Sequence, residues 1–352
     1  MNAMKESPIV NDFVECPLCG GDIFFETHAL SCTACKEEYA LTEEGVLVLI
    51  PEKSNVEWAK EARENAAIIN AFYRGRIKEG TGWWIGHKNP YVALLQRYNL
   101  LCGRSMAVDM LGRMYSGGTI VDLGGGEGYV DKMILDRFPD KNFQVVLQDM
   151  GFVILAHGKE RSFQNVQGVD FVASDSLHSG FKAGIFDCAI STECIEHIRD
   201  LDLFFAEANR ILKPGGRVFL TTPNKQGIAF WLGDRGVQYA KALVAGSFKK
   251  VEKVWKSPYG FSDGEEGYEK ILSSNEVVEA LKKGGFIIEQ VIYNQFLGEV
   301  FFTIASKARL PLVLVHGAVS SAVALERMAN YFIGPVGKFI GFNQVVIARK
   351  VT

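Results

Sequence analysis

The run Val121-Asp122-Leu123-Gly124-Gly125-Gly126-Glu127-Gly128-Tyr129 restricts the fold of this chain more than any other stretch. An apolar strand ends in an acid and a turn so rich in glycine that backbone can approach a ligand closely, with a helix N-terminus to follow. A dinucleotide fold would place a third glycine at Tyr129. Here the alternating glycines are Gly124, Gly126 and Gly128, and Asp149 closes the next apolar run. The pattern reads as a nucleotide-cofactor site, although glycines also serve ordinary turns.

The elements around the turn alternate. The apolar periods place strands at Thr119–Leu123, Phe143–Gln148, Val169–Ala173, Phe186–Ser191 and Arg217–Thr222. Between them fall helices through Ile134, near Phe152–His157 and over Leu201–Leu212, the last stopped by Lys213-Pro214-Gly215-Gly216. Such alternation makes a parallel sheet with helices on both faces. Ser273-Ser274-Asn275-Glu276 offers a capping box for a helix ending at Gly284-Gly285, and strands Phe286–Tyr293 and Gln344–Lys350 complete the sheet. Upstream, Val56, Ala59, Ala62, Ala66 and Ile69 mark an amphipathic helix from Asn55 to about Ala71, and Tyr91–Leu111 also reads as helix. Gly80–His87, rich in glycine and aromatics, is either packing or a cap over a ligand.

A second constraint sits at the start. Cys16-Pro17-Leu18-Cys19 and Cys32-Thr33-Ala34-Cys35 bring two thiol pairs on knuckles, the ligand pattern of a closed, structural zinc site. A disulfide pair or an iron–sulfur cluster are the alternatives. Cys102, Cys188 and Cys194 lie in apolar surroundings, as buried thiols of a reducing compartment do, and Met1–Asp12 has no signal-peptide character, so a cytoplasmic protein is expected.

Of the 352 residues, 48% are hydrophobic and 22% charged, enough for a large core and an accessory unit. Residues 1–52 carry ten acids against two bases, leaving 36 bases and 31 acids for the remainder. An acidic leading segment argues against that segment gripping nucleic-acid phosphates. Leu310–Leu325 is free of charge but, at 16 residues with Pro311, His316 and Gly317, falls short of a membrane span. Val237–Lys256 includes Lys249, Lys250, Lys253 and Lys256 with Phe248 and Trp255, which suits a solvated helix face, a substrate cap or a peripheral membrane contact. With the apolar Leu310–Leu325 and Tyr331–Phe342 it suggests an apolar acceptor pocket.

Residues 14–51, with their cysteine pairs, Tyr39 and Gly45–Pro51, resemble the zinc ribbons of the methyltransferase-activator family over about residues 10–52. Val121–Gly128, Asp149, Ala173-Ser174-Asp175-Ser176, Phe186–Ile198 and Leu212–Gly216 together resemble the ordered motifs of class I S-adenosylmethionine (SAM)-dependent methyltransferases. Thr222-Pro223-Asn224 points to the branch that includes quinone-biosynthesis methyltransferases, and the likeness spans about 119–350. It implies a Rossmann-like, doubly wound, mainly parallel seven-stranded sheet with a small N-terminal zinc ribbon. The expected division is a ribbon at 1–54, a helical linker and cap at 55–118, and a methyltransferase domain at 119–352 with insertions at about 225–270 and 305–342.

The resemblance also assigns roles. Gly124, Gly126 and Gly128 would lie against the methionyl and ribose portion of SAM, Asp122 near its amino group and Asp149 on the ribose hydroxyls. Met150 would stack on adenine, Asp175 and the Ser176 backbone would read its edge, and the Thr192 carbonyl would face the methionyl amine. Glu193 and His197 are candidates for a general base, the alternative for His197 being a loop anchor. Cys16, Cys19, Cys32 and Cys35 would hold Zn2+. The fourth-strand motif lacks the Asn/Asp-Pro-Pro-aromatic pattern tied to nitrogen methylation, so the expected reaction is methylation of oxygen or carbon on a small, partly hydrophobic metabolite. An RNA methyltransferase using its ribbon for recognition is one alternative, and a silent scaffold that binds a partner protein is another.

Overall fold

The computed structural model describes residues 12–26, 29–78, 90–228, 270–296, 305, 308–333 and 336–351. Gly80–His87 and Val237–Lys256 lie outside the described residues, as do some residues of Tyr331–Phe342.

The centre of the molecule is a parallel sheet whose strands are apolar on both faces. Strands β5 (Gly118–Leu123), β6 (Phe143–Asp149), β7 (Val169–Ala173), β8 (Phe186–Thr192) and β9 (Leu212–Pro223) pair in parallel in the order β7-β6-β5-β8-β9. Burial from both sides explains their near-continuous apolar runs, such as Val145–Leu147 and Cys188–Ile190. The chain runs outward from β5 to β7 and then restarts beside β5 with β8. That reversal opens a crevice at the carboxyl ends of β5 and β8, the place where open α/β sheets bind ligands.

Strands β10 (Phe286–Asn294) and β11 (Asn343–Lys350) close the far side antiparallel, with Asn343 opposite Pro223 and Asn294 opposite Asn343. The end of β10 and the start of β11 therefore share the carboxyl edge of β8 and β9.

The sheet differs from expectation in size. It has eleven strands among the described residues, not seven. The outer edge of β7 is covered by β4 (Leu47–Val48), which pairs in parallel with Val172 and Ala173. From β4 the sheet continues antiparallel through β3 (Glu38–Leu41), β2 (Ala29–Cys32) and β1 (Ile23–Glu26). An edge strand presents unpaired backbone groups, and the cysteine-bearing hairpins satisfy them here. Phe13, Val14, Ile23 and Leu30 join one hydrophobic cluster with Val121, Phe181, Phe186 and Phe204. The Arg210 guanidinium adds a 3.0 Å ion pair to Glu15.

Helix α1 (Glu57–Lys78) starts after Val56, which is exposed, and buries Ala59, Ala62, Ala66 and Asn70. The expected single helix over Tyr91–Leu111 is instead α2 (Pro90–Asn99) and α3 (Ser105–Met114), joined by a π-turn over Leu100–Arg104 that buries Cys102, Gly103 and Arg104. Such bulges recur at functional sites. Helices α4 (Tyr129–Arg137), α5 (Phe152–Ser162) and α6 (Leu201–Ile211) follow their strands as the periodicity requires, α6 capped by Asp200 accepting from the Leu203 N–H. Helix α7 (Ser274–Lys283) begins with the expected Ser273/Glu276 capping box. Helix α8 (Leu312–Ile333) buries Val315 and Val319 and exposes Val313, Leu314 and Leu325. No helix among the described residues is long and apolar enough to cross a membrane. The short α9 (Gly337–Ile340) leads into β11.

Candidate functional site

The glycine-rich turn joins β5 to α4 at the crevice. Gly124, Gly126 and Gly128 all have φ between 59° and 77°, where an L side chain is strained. Their surroundings differ. A Cβ on Gly124 would stand 2.2 Å from the Cys194 Sγ, whereas one on Gly126 meets nothing within 4 Å. Only Gly126 of these two faces open space, so it is the one that lets a ligand approach. We expect Gly124→Ala to lower stability by about 2–5 kcal/mol, from left-handed strain and overpacking. Gly126→Ala should cost only about 1–2 kcal/mol. Thermal melts of the two variants check the order.

Asp149, the last residue of β6, accepts from the Gly126 N–H at 3.1 Å on Oδ2 and from the Gly151 N–H at 2.9 Å on Oδ1. Burial raises its proton affinity against the pull of these amides. Asp122 is fully buried near the end of β5, its carboxyl in hydrogen-bond contact with that of Asp131. Burial, then Asp131 on the first turn of α4, push its carboxyl well above the usual range, and burial raises Asp131 to about 7. Two buried acids side by side titrate as a pair.

On the adenine side of the expected site, Asp175 spends Oδ1 on the Leu177 N–H at 2.9 Å and has Oδ2 3.7 Å from His178 Nδ1. Ser176 is buried beside it. The His178 ring stacks on Trp58 of α1, centroids 4.1 Å apart. Met150 packs with Ile50, Ala62 and Ala66, and Asn70 of α1 accepts from the Val153 N–H at 3.0 Å. Helix α1 thus lies along the loop that follows Asp149.

Thr192 ends β8, buried. Glu193 follows at φ 53° and its Oε1 accepts from Thr221 Oγ1 at 2.8 Å and from Asn343 Nδ2 at 2.7 Å. Glu196 accepts from Thr222 at 2.9 Å. His197, on the Ile195–His197 turn, is exposed and close enough to Asp149 for its charge to lower that carboxylate's proton affinity. All the expected cofactor residues therefore stand on strand ends or turns at one edge of the sheet.

Residues 121–220 match the family described as a methyltransferase domain. This part of the chain is a methyltransferase domain. Mitochondrial ubiquinone biosynthesis O-methyltransferase of Rattus norvegicus is 29% identical over 119 residues, 33% of this chain and 30% of that protein. Ubiquinone biosynthesis O-methyltransferase of Brucella anthropi is 25% identical over 173 residues, 49% of this chain and 61% of that protein. The chain thus spans less than two thirds of the length of either relative. Phosphoethanolamine N-methyltransferase 2 of Haemonchus contortus, solved with S-adenosyl-L-methionine, is 22% identical with a TM-score of 0.44 over 76% of this chain and 54% of that one.

Two charged residues of the methyltransferase crevice had no sequence signal strong enough to single them out. Asp131 sits in a helix that reads as ordinary and amphipathic, and Arg104 in the π-turn that interrupts an expected helix. Arg104 is buried, and Glu193, Glu196 and Asp122 oppose the loss of proton affinity that burial imposes. Its guanidinium therefore belongs to the same charged cluster as the β5 and β8 ends.

At the opposite side of the ribbon core, Cys16, Cys19, Cys32 and Cys35 bring their four Sγ atoms within 4.8 Å of one another. Cys16–Cys35 and Cys19–Cys32 are each 3.5 Å apart, and the Tyr39 hydroxyl lies 3.0 Å from Cys16 Sγ. A tetrahedral zinc thiolate site has sulfur–sulfur separations of about 3.8 Å, from bonds of about 2.3 Å. The cluster fits a four-coordinate ion.

Proposed function

We propose that the chain is a SAM-dependent methyltransferase acting on a hydroxyl oxygen of a small, partly hydrophobic molecule, with a structural zinc in its cysteine cluster. The observation that carries this reading is the fully buried Asp122 carboxyl, set against a second buried acid, Asp131, beside a glycine turn tied to Asp149. Two buried acids against one another can both ionise only where a ligand brings a cationic donor. The two O-methyltransferase relatives support oxygen as the acceptor.

SAM, when bound, supplies a methyl carbon already activated on a sulfonium, which leaves the protein to position, exclude water and manage one proton. Asp149 would accept from the ribose hydroxyls and Asp175 from the adenine amino group, with Met150 and Ser176 alongside. The amino-acid end carries an ammonium and a carboxylate. Asp122, with Asp131 behind it and the Thr192 carbonyl near, suits the first, and Arg104 suits the second. Glu193 would receive the hydroxyl proton on Oε2, because Oε1 is held by Thr221 and Asn343. His197, nearer Asp149, would orient that loop. The thiolates, outside the crevice, would serve the fold, Tyr39 donating to Cys16.

Titration calorimetry with SAM and S-adenosylhomocysteine tests the assignment. We expect both to bind, and affinity for both to rise with pH through about 7, because an ammonium next to the Asp122/Asp131 pair favours release of the shared proton. Absence of binding to the full chain would leave the scaffold alternative as the better account.

A further inference from the structure

Three buried side-chain amides meet at one point of the carboxyl edge. Asn294 ends β10, Gln295 follows it, and Asn343 starts β11; they are 0%, 2% and 1% exposed. They meet beside Gly103 of the π-turn, itself buried. A Cβ there would have Gln295 Nε2 at 3.4 Å, Asn343 Oδ1 at 3.5 Å and Asn294 Oδ1 at 3.6 Å as its nearest neighbours. Neither amide atom of Asn294, nor Oε1 of Gln295, nor Oδ1 of Asn343, has a hydrogen-bond partner among the described residues. Native interiors rarely leave such groups unmet.

The orientation of Asn343 is fixed from outside the cluster. Its Nδ2 donates to Glu193 at 2.7 Å, which turns Oδ1 toward Gly103. Gln295 Nε2 donates to the Asn99 carbonyl at 3.3 Å and still presents its second hydrogen. The space beside Gly103 therefore offers acceptors and a donor together. An ammonium has donors only and a carboxylate or phosphate acceptors only, whereas a hydroxyl has both. The nearby Arg104 is set instead among Asp122, Glu193 and Glu196.

We propose that Asn294, Gln295 and Asn343, with Gly103 as the gap between them, form the acceptor-recognition site and that it reads a neutral hydroxyl. The assignment rests on the methyl-transfer reading of the adjoining crevice, to which Glu193 connects it. This site is polar, so the apolar part of the acceptor would lie elsewhere.

Three probes of nearly equal size separate the chemistries: benzyl alcohol, benzoate and benzylamine, each added to the full chain with S-adenosylhomocysteine and followed by saturation-transfer NMR and titration. We expect benzyl alcohol to bind and the two ions to give no transfer. Gly103→Ala puts a methyl at ordinary contact distance from the amides, so it should fold and weaken benzyl alcohol by about tenfold or more while S-adenosylhomocysteine affinity stays within about twofold. Asn294→Leu should raise the melting temperature of the unliganded chain, because it removes an unmet buried amide, and abolish benzyl alcohol binding. Preference for benzoate or benzylamine, an unchanged benzyl alcohol affinity in Gly103→Ala, or a lowered melting temperature in Asn294→Leu would overturn the proposal. Binding of benzyl alcohol that depends on Gly103 without any S-adenosylhomocysteine binding would uphold the amide site and reject the cofactor reading. The reverse pattern would reject the amide site alone.

Discussion

Asp149→Ala is expected to lower SAM affinity by about 100- to 10,000-fold while the protein stays folded. Two charge-assisted hydrogen bonds at about 1.5–3 kcal/mol each set that range. The loss has a second source in the chain itself. Asp149 ties the Gly126 and Gly151 amides, so its removal also loosens the turn that the cofactor must meet. The fold should survive because the strand's apolar residues Val145, Val146 and Leu147 are untouched and buried. Asp149→Asn, which keeps one acceptor, should fall between wild type and alanine. Calorimetry beside circular dichroism reads both quantities, and an alanine variant of unchanged affinity would sink the ribose assignment.

Loss of the cysteine site should be the larger effect on stability. We expect Cys16→Ser, or a strong chelator, to release about one equivalent of zinc per chain and to unfold the ribbon hairpins. Zinc in small four-thiolate units contributes about 10–16 kcal/mol of apparent binding free energy at neutral pH, much of it folding free energy. The damage should not stop at the ribbon, because Phe13, Val14, Ile23 and Leu30 share a cluster with Phe181 and Phe186, and β4 covers the edge of β7. Melting temperature, zinc content and exposure of apolar surface to a dye should therefore change together. Full zinc retention in Cys16→Ser would refute the four-thiolate assignment.

Much of the fold is legible in the residues because local rules decide it. Ser273 and Glu276 announce the start of α7, Gly284 and Gly285 its end, and the apolar runs of β5 to β9 give strands within a few residues of where they stand. The acids Asp122, Asp149 and Asp175 were visible for the same reason: each lies at or just past the end of a readable strand. The cysteine spacing likewise predicts a cluster that long-range geometry then closes.

Other features depend on contacts between segments far apart in sequence, for which periodicity has no signal. The sheet grew from seven strands to eleven because a two-residue strand found the bare edge of β7 some 125 residues later. Arg104 and Gly103 became site residues only when the expected helix over Tyr91–Leu111 broke into a π-turn against β11. Asn294 and Asn343 look like ordinary strand ends in sequence; antiparallel pairing of β10 and β11 sets them opposite one another at the crevice edge. The sequence by itself determined the alternating elements, the cofactor turn and the thiol pairs, since each follows from side-chain chemistry at short range. The tertiary structure alone decided which buried polar groups meet, because unmet hydrogen bonds and shared charge arise only where distant strands and turns are packed together.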